Sequence, residues 1–308
     1  MIRKLEQQAS FLESSTQVEV EPFAFGKQRL YLDDCLHWLA QTEPNSISAV
    51  VTDPPYGLVE YHPEQQRKLR EGRGGVWRIP PAFDGAERLP LPRFTVLGAE
   101  ERSAIRFFFI GWGRMLYPVL RPGAHVVIAG NPLVSPLVAA AMEYAGFERR
   151  GEIMRLVRSF RGGDRPKGAD KEFPDVSTMP RSCYEPWGLY RKPLDGTVAE
   201  NLRQWGTGGL RRLSAETPFL DVIQSGLTPD RERALAPHPS VKPQAFLRQL
   251  VEAVLPVGTG TVLDTFAGCA TTLAACEAKG KEGIGIEIDP HYYDMAIVAI
   301  PKLAALQT

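Results

Sequence analysis

The sequence has no surplus of charge of either sign: 36 lysines and arginines balance 36 aspartates and glutamates. No global field draws this chain to nucleic acid, so any such surface has to be a local patch. Cysteine is scarce too. Cys35, Cys183, Cys269 and Cys276 form no CxxC pair and suggest no disulfide framework, which makes a reducing cytoplasm the expected compartment. No apolar run reaches membrane-spanning length, and the nearest, FFFIGWGRMLYPVL, is broken by Arg114. The N-terminal MIRKLEQQASFLESS lacks the apolar centre of a secretory signal. His37, His62, His125, His238 and His291 keep no ligand spacing with cysteines or acids, so no metal site is expected. GxGxxG is missing as well, which disfavours a nicotinamide oxidoreductase.

What is present is an ordinary globular composition, 308 residues with 44% hydrophobic and 23% charged side chains. Residues 1–27 read as an N-terminal extension, and 28–308 as the domain proper. RLYLDDCLHWLAQ is a strand followed by a helix with Leu36, Leu39 and Ala40 on one face. ISAVVTD is a continuous apolar run ending on an acid, as suits a strand covered on both faces. Residues 59–104 are basic and punctuated by glycine and proline, and read as a mobile loop or lid. A helix over IRFFFIGWGRMLYPVL, a strand at AHVVIAG and a helix over PLVSPLVAAAMEYAG follow. Strands at IMRLVRSF and EPWGLYRK flank a loop over 161–182, and 193–237 shows no strong period. The last third reads helix, strand, helix, strand through PQAFLRQLVEAVL, GTVLD, TTLAACEAKG and EGIGIEID. This alternation predicts an α/β fold with a mostly parallel sheet, whose ligands sit beyond the C-terminal strand ends.

Three acids end strands on that rim: Asp53, Asp264 and Glu287. In VVTDPPYG, Pro54 and Pro55 remove backbone freedom just past the strand, fixing an acid, an exposed carbonyl and the Tyr56 ring in one arrangement. VLDTFAGCATT is an acid-ended strand, a glycine-containing turn and a helix start, a geometry in which backbone approaches a ligand closely. About 20 residues on, Glu287 is placed to accept hydrogen bonds from ribose hydroxyls. The segment reads as a nucleoside site without a phosphate cradle, or as a plain βαβ unit with surface acids. HPSVKP is a rigid loop whose Ser240 and Lys242 could meet a carboxylate; by itself it is equally a solvated turn before a helix.

Together, DPPY, the Phe-x-Gly turn, the following acid and HPxxKP resemble the S-adenosylmethionine-dependent amino-methyltransferases of nucleic acids. With the catalytic motif first and the cofactor turn last, the order is similar to the β class, over roughly residues 28–300. The resemblance implies a seven-stranded Rossmann-like sheet with one antiparallel strand, circularly permuted. It implies Asp53, Pro54 and Tyr56 as catalytic residues. Asp53 would also border the cofactor, with Asp34 on its adenine amino group, Glu287 on its ribose and Phe266 and Gly268 on the turn. Asp264 would lie near its methionine end, and Ser240 and Lys242 near its carboxylate. Asp34 also reads as the N-cap of CLHWLA. The turn departs from the usual pattern at Thr265, Cys269 and Ala270, and an alanine reaches positive φ less easily than glycine.

The reaction implied is methyl transfer to the exocyclic N6 of adenine in DNA, with the base flipped out of the duplex. If Asp53 and the Pro54 carbonyl each accept one N–H, the amino lone pair is aimed for in-line displacement, and Tyr56 would stack on the base. Phosphate contacts are sought in three basic stretches. Residues 149–171 carry eight Lys/Arg against three acids, including Arg161, Arg165 and Lys167. Residues 67–78 carry five against one, with Arg73 and Trp77, and 191–213 adds Arg211 and Arg212. Each also reads as a solvated face. In the β class target recognition lies before HPxxKP, here 193–237. The near alternative is N4-cytosine methylation, whose enzymes more often carry serine in place of Asp53. An RNA substrate and a catalytically silent DNA-binding module are the other rivals. The family is often dimeric, with residues 1–27 a candidate contact arm, and no membrane partner is implied.

Overall fold

The computed structural model describes residues 21–55, 82–83, 86–87, 98–157, 163, 165–166, 168–238 and 240–307. Its centre is a run of strands that are apolar on both faces. β3 (Ile47–Thr52) is buried at all six positions. Its neighbours are β10 (Thr261–Asp264) on one side and β6 (Leu120–Ala129) on the other, both parallel to it. The full order is β1 (Phe23–Phe25), β2 (Gln28–Leu32), β11 (Glu282–Glu287), β10, β3, β6, β8 (Tyr184–Arg191), β7 (Glu148–Leu156) and β9 (Val222–Gln224). The strands β2, β11, β10, β3 and β6 run parallel, and β8 is antiparallel to both β6 and β7. The expected seven-stranded sheet with one reversed strand is therefore present from β2 to β7, and β1 and β9 extend its edges. A short ribbon, β4 (Ala82–Phe83) with β5 (Ala86–Glu87), pairs separately.

Alternation along the central strands builds two cores. Val50, Val126 and Ile128 face one layer, where α1 (Cys35–Gln41), α2 (Ala99–Val119) and α3 (Ser135–Tyr144) pack through Leu39, Phe109, Trp112, Leu116 and Met142. Ala49, Val51, Val127 and Ala129 face the other, against Phe246, Leu247, Leu250 and Val251 of α6 (Gln244–Ala253). On α2 the buried positions 105, 109, 112 and 116 follow the helical period, and Pro118 lies in its last turn. α7 (Thr271–Ala278) lies on the α6 side through Ala275 and Cys276. α8 (Pro290–Ala304) seals α7 with Ala296, Ala299, Ile300 and Leu303. The helices following β3 and β10 thus lie on opposite faces, so the crevice between those strand ends is a topological switch point.

Several expectations are revised. Phe23–Phe25, inside the stretch read as an extension, pairs with β2 through a tight turn at Gly26, while residues 1–20 lie outside the described set. Ala40 is exposed; on the short α1 only Leu39 is buried. Most of the lid 59–104 lies outside the described residues, and its end, from Ala99, is the first turn of α2, started by Glu101 accepting the Gly98 N–H at 2.7 Å. The aperiodic 193–237 contains α4 (Val198–Trp205), the strand β9 and α5 (Asp230–Leu235). A Thr197–Glu200 capping box starts α4 and Gly206, at φ 71°, ends it. Buried Asn201 fastens the segment to the sheet, its Nδ2 donating to the Pro122 carbonyl at 3.0 Å and the Thr207 carbonyl at 2.8 Å.

Candidate active site

Because β3, β10 and β11 run parallel, Asp53, Asp264 and Glu287 reach the same rim of the sheet. Asp53 follows β3 directly, with Pro54 buried behind it and Pro55 exposed. Neither proline can donate to a ladder, which is why pairing stops there. Tyr56 lies outside the described residues.

Asp264 is 3% exposed and is tied across the switch point to β3: its Oδ1 accepts the Thr52 hydroxyl at 2.7 Å and the Phe266 N–H at 3.2 Å. Burial pushes its carboxyl up to about 6, partly opposed by these bonds and by one from Thr272. The turn after it folds back on β11 through the Ala267 N–H to the Ile286 carbonyl at 2.9 Å. Gly268 takes φ 53°, and a side chain there would press on the His238 ring at 3.3 Å. Ala270 is also left-handed, at φ 55° and ψ 41°, and fully buried. A non-glycine residue in that region is strained. Phe266 stacks obliquely between Phe108 and Trp112 of α2, at ring distances of 6.1 and 5.9 Å.

Glu287 braces this turn. Its Oε2 accepts the Gly268 N–H at 2.6 Å and its Oε1 the Asp289 N–H at 2.8 Å. Burial raises its carboxyl above the usual range against these two bonds. Next to it in the sheet, β2 ends at Leu32 in register with Glu287, and the Asp33 N–H donates to the Glu287 carbonyl at 2.9 Å. Asp34 is thereby on the same rim. Its side chain caps α1, Oδ1 accepting the N–H groups of Leu36 at 2.7 Å and His37 at 3.3 Å.

The HPSVKP loop closes the cleft from the α6 side. Within it the Ser240 N–H donates to Nδ1 of His238 at 3.1 Å, which leaves the ring's proton on Nε2. Burial pulls His238 down to about 4, so it is neutral at physiological pH. Its ring stands edge-on to Tyr292 at 4.4 Å. Lys242, only 6% exposed, donates to Oδ2 of Asp53 and lies 3.3 Å from Oε1 of Glu185. Burial lowers its ammonium, and the Asp53 and Glu185 carboxylates outweigh that and raise it.

One cleft therefore gathers Asp53, Ser240, Lys242, Asp264, Phe266 and Gly268, with Asp34 and Glu287 on the adjoining strand ends. Lys242, expected to serve a cofactor carboxylate, is committed to two carboxylates of the protein itself. His238, Trp187, Thr271 and Thr272 also line the cleft and were not named as site residues. His238 lies within HPSVKP and the two threonines within VLDTFAGCATT; Trp187, on the reversed strand, carried no local signal.

The candidate DNA contacts fare differently. Arg73, Trp77, Arg161 and Lys167 lie outside the described residues. Arg165 is exposed. Arg211 is misplaced for the role: it packs on the Pro256–Gly258 loop that enters β10, at the opposite end of the sheet from Asp53. Arg212 turns back onto the carbonyls of Ser214 and Glu216 in its own loop, at 3.3 and 2.9 Å. Among the described residues no group of three or more His, Cys, Asp or Glu side chains could hold a metal, and no helix is long and apolar enough to cross a membrane.

The chain is similar to known proteins over most of its length. A family model described as DNA methylase matches residues 47–298. Type II methyltransferase M2.DpnII of Streptococcus pneumoniae is 22% identical over 278 residues, covering 88% of this chain and 90% of its own. Among solved structures, the PvuII DNA methyltransferase (cytosine-N4-specific) aligns with a TM-score of 0.60 at 14% identity, over 94% of this chain and 91% of that one. A putative DNA modification methylase of Thermus thermophilus, solved with S-adenosyl-L-methionine, aligns with a TM-score of 0.56 at 17% identity, over 90% and 95%.

Proposed function

The chain belongs to the N6/N4 DNA methylase family, and from that premise we propose that it methylates the exocyclic N6 of adenine in DNA, using S-adenosylmethionine. The observation that carries the reading is the position of Asp53-Pro54 at the switch point, on the cleft formed by the 264–271 turn. An aspartate at that place, where N4-cytosine enzymes more often have serine, favours adenine.

The cleft fits the cofactor. Gly268 leaves a backbone face that any Cβ would fill, and Glu287 sits beside it with lone pairs beyond the two its N–H partners use. Phe266, Gly268 and Glu287 would hold the nucleoside, and Asp264 and Ser240 the amino-acid end. When bound, S-adenosylmethionine supplies an activated methyl group. The chain's own residues supply orientation. Adenine's amino lone pair is delocalised into the ring, so two acceptors are needed to turn the N–H bonds and free it: the Asp53 carboxylate and the Pro54 carbonyl. Buried Pro54 keeps the second acceptor from drifting, which lowers reorganisation during transfer. The proton shed afterwards leaves through the same carboxylate or to water. Because the cleft lies at a sheet rim and not in an open groove, a duplex base has to flip out to reach it.

The test is transfer of a tritiated methyl from S-adenosylmethionine to DNA by wild type and by Asp53→Ala, followed by nucleoside digestion. N6-methyladenine from the wild type only is the expected result. N4-methylcytosine would overturn the base assignment. Bound cofactor without transfer to any DNA would overturn the substrate.

A further inference from the structure

We propose that Glu185 and Arg155 are positioning residues for methyl transfer, fixing the Asp53 carboxylate through Lys242 and tying it to residues 225–226 of segment 193–237. The inference rests on the transfer reading above. Four charges alternate in a row, Lys242 and Arg155 buried and Asp53 and Glu185 partly so. Lys242 bridges Asp53 and Oε1 of Glu185; Oε2 of Glu185 accepts Nη1 of Arg155 at 2.6 Å. Arg155, 5% exposed, then donates Nε to the Ser225 hydroxyl at 3.0 Å and Nη2 to the Gly226 carbonyl at 2.8 Å. Trp187 and Phe246, themselves 5.2 Å apart, wall the row: Lys242 Nζ is 6.0 Å from the first ring and the Arg155 guanidinium 5.4 Å from the second.

Such a row is not explained by stability. Buried ion pairs of good geometry do about as well as, or worse than, packed apolar residues in their place. It is explained by position. A lysine on four flexible carbons paired with Asp53 alone could swing toward any anion entering the cleft. A second carboxylate on the rigid strand β8 holds its ammonium in one place, and a guanidinium on β7 holds that carboxylate. The row thereby reaches from the end of β3 to the chain just after β9, joining Asp53 to the segment that the β-class resemblance assigns to target recognition.

Among the described residues, the charged and titratable groups facing Lys242 are Asp53 past β3, Glu185 on β8, Arg155 on β7, His238 in its own loop and the Cys269 thiol on the turn. Glu185→Gln removes one of the two carboxylates that raise it, so Lys242 should lose its proton at lower pH and the alkaline limb of kcat should follow. We expect kcat to fall on the order of 10- to 100-fold, as for a small misplacement of a reacting group. KM for S-adenosylmethionine should change far less, and Glu185→Asp should recover part of the rate. The Nζ titration of Lys242, read by NMR in lysine-labelled protein, needs no turnover. If Glu185→Gln folds poorly, Ser225→Ala at the far end of the row should show the same kcat loss in milder form, with folding intact. Unchanged titration and kcat overturn the proposal, as does a rate loss matched by loss of folded protein with an unmoved pH profile. If the wild type transfers no methyl to DNA, the transfer reading falls with the catalytic half of this one. The Lys242 titration then still decides whether Glu185 sets that ammonium.

Discussion

Replacing Asp264 by asparagine should make the protein more stable above pH 6 and less stable near pH 4. Asp264 is 3% exposed, and burial raises its carboxyl from 3.8 to about 6. Between those values the folded protein keeps a proton that the unfolded chain has released. Fewer protons are then bound in the unfolded state, so stability falls as pH rises through this window and the loss is complete above it. At about 1.4 kcal/mol per pH unit the displacement amounts to about 3 kcal/mol. Asparagine keeps the shape and an acceptor for the Thr52 hydroxyl and Phe266 N–H, and forfeits about 1 kcal/mol of the remaining hydrogen bonding. The variant should therefore be about 2 kcal/mol more stable at pH 8 and about 0.5 kcal/mol less stable at pH 4. With a urea dependence of about 3 kcal/mol per molar for a chain of this size, its midpoint lies about 0.7 M above wild type at pH 8 and about 0.2 M below at pH 4. The assay is urea unfolding of both proteins across that range. A midpoint difference that does not change with pH refutes the reasoning, because it would mean that Asp264 titrates alike in both states. The same variant should transfer methyl groups poorly, since the charge that destabilises the fold lies in the cleft that uses it.

Ala270→Gly should leave stability within about 1 kcal/mol of wild type: relief of roughly 1–2 kcal/mol of left-handed strain is offset by a lost buried methyl of about 0.8 kcal/mol and a freer unfolded chain. Ala270→Val, β-branched at a fully buried left-handed position, should cost more than about 2 kcal/mol; urea midpoints check both, and a Gly variant that is strongly destabilised would show the turn is not strained. Asn201→Ala should cost about 2 kcal/mol, because it strands the Thr207 carbonyl and the Asp195 N–H that Oδ1 accepts at 2.9 Å, and leaves the Pro122 carbonyl to the Thr207 hydroxyl alone. A loss under about 1 kcal/mol would mean that segment 193–237 is not docked as described.

Much of the fold was legible because its signals are local. ISAVVT and TVLD are apolar runs stopped by an acid and a turn, and each became a strand whose end lies where the pattern breaks. Asp34, Thr197 and Asp289 stand just before helices and cap them, although only the first of these was read in advance. The edge strands escaped notice because three residues carry no period: Phe23–Phe25 and Val222–Gln224 are strands only because a neighbour offers its hydrogen bonds. α4 was missed for a related reason. Its apolar stripe, Val198, Leu202 and Trp205, spans only eight residues, too short a run for the period to stand out, and its one fully buried side chain is an asparagine. The strain at Ala270 was visible in outline, since the position calls for glycine and has none.

The resemblance carried by its motifs led to the expectation that Asp53, the 264–271 turn, Glu287 and HPSVKP share one site; by itself, the sequence determined which strands end on acids and where the chain turns sharply. These follow from spacing, from proline's missing N–H and from the short range of capping and turn chemistry. Only the tertiary structure decided the partners. Thr52 meets Asp264 across 212 residues because β3 and β10 pair side by side. Lys242 takes Asp53 and Glu185, and Arg211 faces the wrong end of the sheet, because burial and strand order, which no local pattern encodes, choose which opposite charges become neighbours.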